Sequence, residues 1–154
     1  ALPYFEKLSA RYPDNSIFHR FTARLLVETG RWMRGTALYE EYVKRSRAGQ
    51  TGYHKHGRLE AHYHLGRYDF LRQRYDAAIA HFAATASLAD GSERKRDRAY
   101  AALAHLFLGQ LHDLQGRRDE AVRHYEKVRE LPNHADSRDR AKQYLRTPYR
   151  EGGK

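Results

Sequence analysis

The feature that most constrains the fold is a repeat with a period of 43 residues, which occurs three times in the 154-residue chain. Gly30, Gln73 and Gly116 occupy equivalent positions in it, and an arginine follows each of them. Other positions keep the same period with histidine, small or aromatic residues, and these are His19, His62, His105, Gly35, Ala78, Ala121, Tyr39, Phe82 and Tyr125. Since a fixed period of this size is typical of stacked supersecondary units, we expect a repeat protein and not a single closed core.

Apolar residues within each repeat follow the spacing of an α-helix. Ala78, Ile79 and Phe82 form one stripe, and Leu103 and Phe107 belong to another. A short break separates the two stripes of a repeat, whereas a longer polar stretch separates one repeat from the next. Alternating runs of β-branched residues, which would indicate strands, do not occur. We therefore predict an all-α chain built from antiparallel helix pairs.

Two of the repeats carry a family pattern. The second has Leu65-Gly66, Tyr75, Ala78 and Phe82, and the third has Leu108-Gly109, Gly116, Ala121, Tyr125 and Pro132. This pattern resembles that of the tetratricopeptide repeat. The resemblance implies a right-handed α-α superhelix, a solenoid in which the first helix of each pair lines a concave groove. The period exceeds the usual one of about 34 residues, so a HEAT-like stack is the alternative architecture.

The repeat also predicts the boundaries of one domain, residues 1–147. We expect the second helix of a truncated repeat at 1–15, repeats at 16–48, 54–90 and 93–132, a capping helix at 136–147 and a flexible tail at 148–154. The capping helix is mostly charged and has apolar residues on one side only, as the end of a stack requires. The first helix has apolar residues but no helix before it. We therefore interpret the chain as the C-terminal end of a longer repeat protein.

Composition excludes several function classes. The chain has no cysteine, so it has no disulfide and no thiol nucleophile, and it fits a reducing or an oxidising compartment equally. It contains no catalytic motif and no phosphate-binding glycine loop, so we expect neither an enzyme nor a cofactor. Closely spaced histidines such as His62 and His64 point to different faces of a helix, so we expect no metal site. No apolar run approaches the length of about 18 residues that a membrane span needs.

The concave groove is the main candidate binding site. Its predicted residues, taken by phase with the repeat, are Arg20, Arg24, Tyr63, Arg67, Phe70, Leu106, Gln110 and Asp113. Arginine pairs bidentately with carboxylates, and aromatic side chains supply contact area. We predict that the groove holds an acidic or amphipathic peptide of a protein partner. Charge reversal at Arg24 and Arg67 is then expected to abolish binding and to leave the thermal stability unchanged.

Two alternatives remain open at this point. The net charge of +10 and the pI near 9.9 favour acidic partners of any kind. Basic residues on two opposite rims could bind nucleic acid or another polyanion. Arg31, Arg74 and Arg117 belong to one rim, and Arg94, Lys95 and Arg96 belong to the other. Acidic residues are interleaved with these rims, however, as on an ordinary solvated surface. In the second alternative the domain is purely structural, with the groove filled by further repeats or with self-association through the N-terminal helix.

Overall fold

The chain is a stack of α-helices in the computed structural model, which describes residues 1–152. The described residues form eight helices and no strand. The helices are α1 (Leu2–Arg11), α2 (Ser16–Glu28), α3 (Trp32–Arg47), α4 (Lys55–Leu71), α5 (Tyr75–Ala89), α6 (Lys95–Leu114), α7 (Arg118–Arg129) and α8 (Ser137–Arg146). None of them is long and apolar enough to cross a membrane.

The helices pack in neighbouring pairs along the chain. Each helix packs against the next one, and α4 also contacts α6, which in turn contacts α8. The first helices α4 and α6 therefore lie side by side and α8 continues that row, while α2 reaches α4 through an ion pair of Arg24 with Glu60. The predicted all-α solenoid of helix pairs is confirmed. We call the surface formed by α2, α4, α6 and α8 the first-helix face.

A glycine in the first helix marks the point where the two helices of a repeat cross. A Cβ atom on Gly109 would lie 2.2 Å from Cε1 of Tyr125, whose side chain is fully buried. In the preceding repeat, a Cβ atom on Gly66 would lie 3.0 Å from the ring of Phe82. The glycine and the aromatic residue keep the 43-residue period because each crossing needs one small and one large residue.

The break inside each repeat is a turn with one residue in the left-handed conformation. Its φ is 80° at Gly30, 73° at Gly116 and 58° at Gln73. The arginine that follows donates its backbone N–H to a carbonyl five residues earlier, for example from Arg31 to Leu26 at 2.7 Å. This bond closes the helix end in the way typical of a Schellman motif, and it explains the glycine found at two of the three positions.

Histidines bridge the two helices of the second and third repeats. His62 and His81 are 2.9 Å apart between their Nδ1 atoms, and His105 and His124 are 3.0 Å apart in the same way. One ring of each pair must donate and the other accept, so at most one ring of a pair can be protonated. Burial lowers the pKa of His62, His105 and His124 to about 4, which agrees with neutral rings. Within residues 1–152, no group of three or more side chains is arranged to hold a metal ion.

Candidate functional site

A buried carboxylate lies at the centre of the first-helix face. Glu60, on α4, has a side chain that is only 1% exposed. It forms an ion pair with Arg24 and lies 3.7 Å from the Nη1 atom of Arg20. The hydroxyl of Tyr39 donates to it at 3.0 Å and that of Tyr100 at 3.3 Å. Side chains from α2, α3 and α6 thus converge on one residue of α4.

The surroundings of Glu60 keep each partner in its donor form. Burial, together with the nearby carboxylate, raises the pKa of Tyr39 and of Tyr100, so both hydroxyls remain protonated. Burial alone would lower the pKa of Arg24, but the Glu60 carboxylate raises it. A buried carboxylate is tolerated only when it is paired and hydrogen-bonded, and here all its partners come from the protein itself.

This arrangement corrects the expectation for Arg24. Its charge is already matched by Glu60, and its Nε atom is buried without a hydrogen-bond partner among the described residues. Charge reversal at Arg24 would place two carboxylates together in the core and would lower the thermal stability. The structure therefore predicts a loss of stability for this variant, where the sequence alone predicted no change.

Tyr63 and Leu106 occupy equivalent positions of the repeat and are buried between neighbouring first helices. Tyr63 is 6% exposed and packs against Tyr100 and Phe107 of α6. Leu106 has no exposed surface and belongs to a cluster with Tyr125 of α7 and residues of α8. The prediction that Leu106 lines an accessible groove is wrong, because α8 packs directly over this position.

A cavity of about 240 Å³ opens on the first-helix face between the C-terminal halves of α4 and α6. We call it the groove cavity, and it is lined by Arg67, Phe70, Leu71, Phe107, Gln110, Arg140 and Tyr149. The guanidinium carbon of Arg67 lies 5.4 Å from the ring centre of Trp32 and 5.9 Å from that of Tyr63. Within residues 1–152, neither Arg67 nor Arg140 forms an ion pair.

Two polar side chains at this end of the face differ in how they are satisfied. Gln110 is buried in the cavity wall, and its Nε2 atom has no hydrogen-bond partner among the described residues. Asp113 accepts from Arg118 at 3.1 Å, from the Tyr125 hydroxyl at 2.8 Å and from the backbone N–H of Tyr149 at 2.8 Å. Asp113 is therefore fully engaged, whereas the Gln110 amide nitrogen is buried and unpaired within residues 1–152.

The segment after α8 folds back over the groove cavity. The ring of Tyr149 lies 6.5 Å from that of Phe70 and 5.3 Å from that of Tyr144, measured between centroids. The side-chain amide of Gln73 donates to Glu151 at 2.8 Å. The sequence predicts a flexible tail at 148–154. Tyr149 and Glu151 of this segment have the contacts above, and residues 153 and 154 lie outside the described part.

Comparison with known families gives two matches. One model, described as a tetratricopeptide repeat, matches residues 57–134, and a second tetratricopeptide repeat model matches residues 1–53. The chain belongs to the tetratricopeptide repeat family. The resemblance seen in the sequence is thereby confirmed. No curated protein and no solved structure matches the chain.

The predicted basic residues lie at both ends of the first helices of this tetratricopeptide repeat chain. Three of them directly precede the second helices, at the C-terminal ends of the first helices, and these are Arg31, Arg74 and Arg117. The other three begin α6 and are Arg94, Lys95 and Arg96. All six are exposed, and Arg74 is paired with Asp69 at 2.8 Å. The six residues therefore form two basic edges, one at each end of the first helices.

Sequence reasoning missed several residues of this tetratricopeptide repeat site. Phe107, Arg140 and Tyr149 line the groove cavity, and Glu60 organises the centre of the first-helix face. Glu60 did leave a signal, since it is the only acidic residue between Glu41 and Asp69. Arg140 and Tyr149 lie beyond the third repeat, so the 43-residue phase could not have placed them.

Proposed function

We propose that the chain is a protein-interaction module that binds an acidic or amphipathic segment of a partner at the groove cavity. Tetratricopeptide repeats generally mediate protein–protein interactions, and the family is typically a non-catalytic scaffold. The single observation that carries the proposal is the pair Arg67 and Arg140, which flank an aromatic-lined cavity without an ion pair among the described residues.

The cavity suits a carboxylate next to an apolar group. Two guanidinium groups can each form paired hydrogen bonds to a carboxylate, and the half-buried setting weakens competition from water. Phe70 and Phe107 offer the edges and faces that an apolar or aromatic side chain packs against.

The size of the cavity also favours a segment of a larger partner. Cavities that bury a whole small molecule usually measure about 300–1,000 Å³, whereas this one measures about 240 Å³. It therefore suits a single anchoring side chain, with the rest of the segment lying along the first-helix face. Such buried anchors supply most of the binding energy at protein interfaces.

Selection from a displayed peptide library tests this proposal, with the affinity of selected peptides measured by fluorescence anisotropy. We expect peptides that combine acidic and aromatic or aliphatic residues. Arg67→Glu and Arg140→Glu should each weaken their binding at least ten-fold. Arg123→Glu is the matched control, because Arg123 is exposed on α7 and its one ion pair among the described residues is with Glu120.

Three outcomes would count against the groove cavity. The selected peptides would lack acidic residues, or they would bind the Arg67→Glu variant as tightly as the wild type. In the third, Arg31→Glu or Arg117→Glu would weaken binding as much as Arg67→Glu, which would point to a polyanion on a basic edge. Circular dichroism of each variant checks that the helices remain intact.

A further inference from the structure

A second cavity lies at the opposite end of the first-helix face. It measures about 350 Å³ and opens between the N-terminal ends of α2 and α4. We call it the amino-end cavity, and the lining residues that matter here are Arg20, Tyr42, His54, His56, Gly57 and Arg94. Residues from two repeats and from the start of α6 surround it, so it forms only when the repeats stack.

We propose that the amino-end cavity binds a phosphoryl group carried by the partner segment. This inference rests on the proposed function, because the segment that anchors in the groove cavity would lie along the same face. The partner segment would then carry a phosphorylated side chain, and this side chain would bind at the N-terminal ends of α2 and α4.

The cavity carries an excess of positive charge. Arg20 and Arg24 share one carboxylate, Glu60, and Arg24 is the nearer of the two. One cationic charge therefore remains, and it is the Arg20 side chain that lines the cavity. Arg94, on the other side, forms no ion pair among the residues that the structure describes, and it lies at the N-cap of α6. An anion between the two guanidinium groups would be stabilised by both.

The imidazole of His56 is held in place by an acidic residue. Its Nδ1 atom lies 2.6 Å from Oδ2 of Asp97, whose side chain is 4% exposed. Asp97 also accepts from the hydroxyl of Ser92 at 2.8 Å. Asp97 therefore fixes the His56 ring through Nδ1, and the Nε2 atom has no hydrogen-bond partner within residues 1–152. His54 adds a second imidazole to the wall.

The first turn of α4 adds backbone donors to these side chains. His54 is its N-cap residue and forms no side-chain cap, and the turn contains no acidic residue. By contrast, the side chain of Asn15 caps α2 at Ile17 and Phe18. The first N–H groups of α4 have no partner within the helix, and they lie at the end where the helix dipole is positive. Both properties favour an anion there.

This set of donors fits a phosphoryl group better than a carboxylate or a nucleic acid. A phosphoryl group has three oxygens and a charge between about −1.5 and −2 at pH 7, so it can accept from several directions at once. Two arginines, two histidines and a helix end approach the cavity from different elements. Nucleic acid needs a row of cations along a strand, whereas these cations converge on one place.

Titration of the ¹⁵N-labelled chain tests the inference with three probes, inorganic phosphate, a phosphoserine peptide and the same peptide unphosphorylated. We expect saturable shifts of the Lys55, His56 and Gly57 amides with the first two probes only. Arg94→Ala should weaken this binding at least ten-fold, because it removes one of the two guanidinium groups beside the cavity. Arg94 is exposed, so its loss leaves the helices intact. Arg31→Ala removes the same charge at the other end of α2 and should change nothing.

The possible results separate this inference from the proposed function. Absent shifts, or equal affinity in Arg94→Ala and wild type, overturn the phosphoryl site. Equal affinity for the phosphorylated and unphosphorylated peptides also overturns it while leaving the groove cavity intact. A single-stranded oligonucleotide serves as a fourth probe, and tighter binding of it than of the phosphoserine peptide would assign the cavity to nucleic acid instead. Arg67→Glu should weaken peptide binding and leave the shifts caused by inorganic phosphate unchanged, since it tests the groove cavity alone.

Discussion

Tyr39 donates a 3.0 Å hydrogen bond to Glu60, and both side chains are fully buried. The bond joins the second helix of one repeat to the first helix of the next. Glu60 also holds Arg24 from α2 and Tyr100 from α6, so one carboxylate connects three successive helix pairs. Stacked repeats usually hold together through apolar contacts between neighbours, and here a polar centre is added to them.

Replacing Glu60 tests how much this polar centre contributes to the free energy of unfolding. Glu60→Gln leaves the buried Arg24 without a counter-charge, so we expect the free energy of unfolding to fall by about 3 kcal/mol. Glu126→Gln is the control, since Glu126 forms an exposed pair with Arg129, and its loss should cost less than about 1 kcal/mol. Urea denaturation followed by circular dichroism measures both. Similar values for the two variants would show that Glu60 is not a stabilising centre.

The two crossing glycines, Gly66 and Gly109, predict that adding a methyl group lowers stability by different amounts at the two positions. Gly109→Ala would bring Cβ within 2.2 Å of Tyr125, whereas Gly66→Ala would meet Phe82 at 3.0 Å. We expect Gly109→Ala to destabilise the fold by about 3 kcal/mol, because α6 and α7 must move apart, and Gly66→Ala by about 1 kcal/mol. Thermal unfolding ranks the two variants. The opposite order, or no loss in either, would contradict the crossing geometry.

Buried neutral histidines predict a loss of stability in acid. Burial lowers the pKa of His64 to about 3 and that of His62 to about 4, while an unfolded histidine has a pKa near 6.5. Between these values the unfolded state binds protons that the folded state does not. The free energy of unfolding is therefore fully retained above pH 6.5 and falls as the pH is lowered toward 4.

Urea denaturation at pH 7, 6 and 5 measures this dependence. His64→Phe should reduce the decrease, because it keeps a ring stacked on Tyr39 and removes one proton-binding group. His134→Ala is the control, since His134 is exposed. An unchanged midpoint of the wild type from pH 7 to pH 5 would rule out the role of the histidines.

The contact between Tyr149 and Asp113 predicts slow amide exchange after the last helix. The N–H of Tyr149 donates to a buried carboxylate, so we expect its amide to be protected while that of Arg150 exchanges quickly. Phe70→Ala removes the ring that Tyr149 packs against and should reduce the protection. Hydrogen–deuterium exchange by NMR measures these rates. Equal rates at Tyr149 and Arg150 would show that the segment does not hold this position in solution.

The sequence was sufficient for the helix pairs and for the turns within them. The conformation of each turn and of each helix crossing is local, so the same residue types recur with the repeat period. Examples are the turn glycines Gly30 and Gly116 and the pair of Gly66 with Phe82. Gln73 was placed correctly by phase although it is not a glycine, because the turn requires a left-handed residue there whatever its side chain.

The site was harder to predict because it depends on distances between repeats. The phase of the repeat shows that Leu106 is equivalent to Tyr63, but it cannot show how closely α8 packs over α6. The ion pair of Arg24 with Glu60 joins residues 36 positions apart, and no local pattern encodes it. Position within the repeat was therefore enough to predict that Arg67 is accessible, but it wrongly predicted the same for Leu106, which is buried.

The shared carboxylate of Glu60 limits how this protein could be shortened or rebuilt. Many solenoids are modular, since one unit can be deleted or duplicated and the remaining units close up around the gap. Here, excision of the unit containing Glu60 would leave Arg24, Tyr39 and Tyr100 without their common acceptor. A chimera that exchanges this unit would therefore have to keep a glutamate at its position or replace all three partners with it.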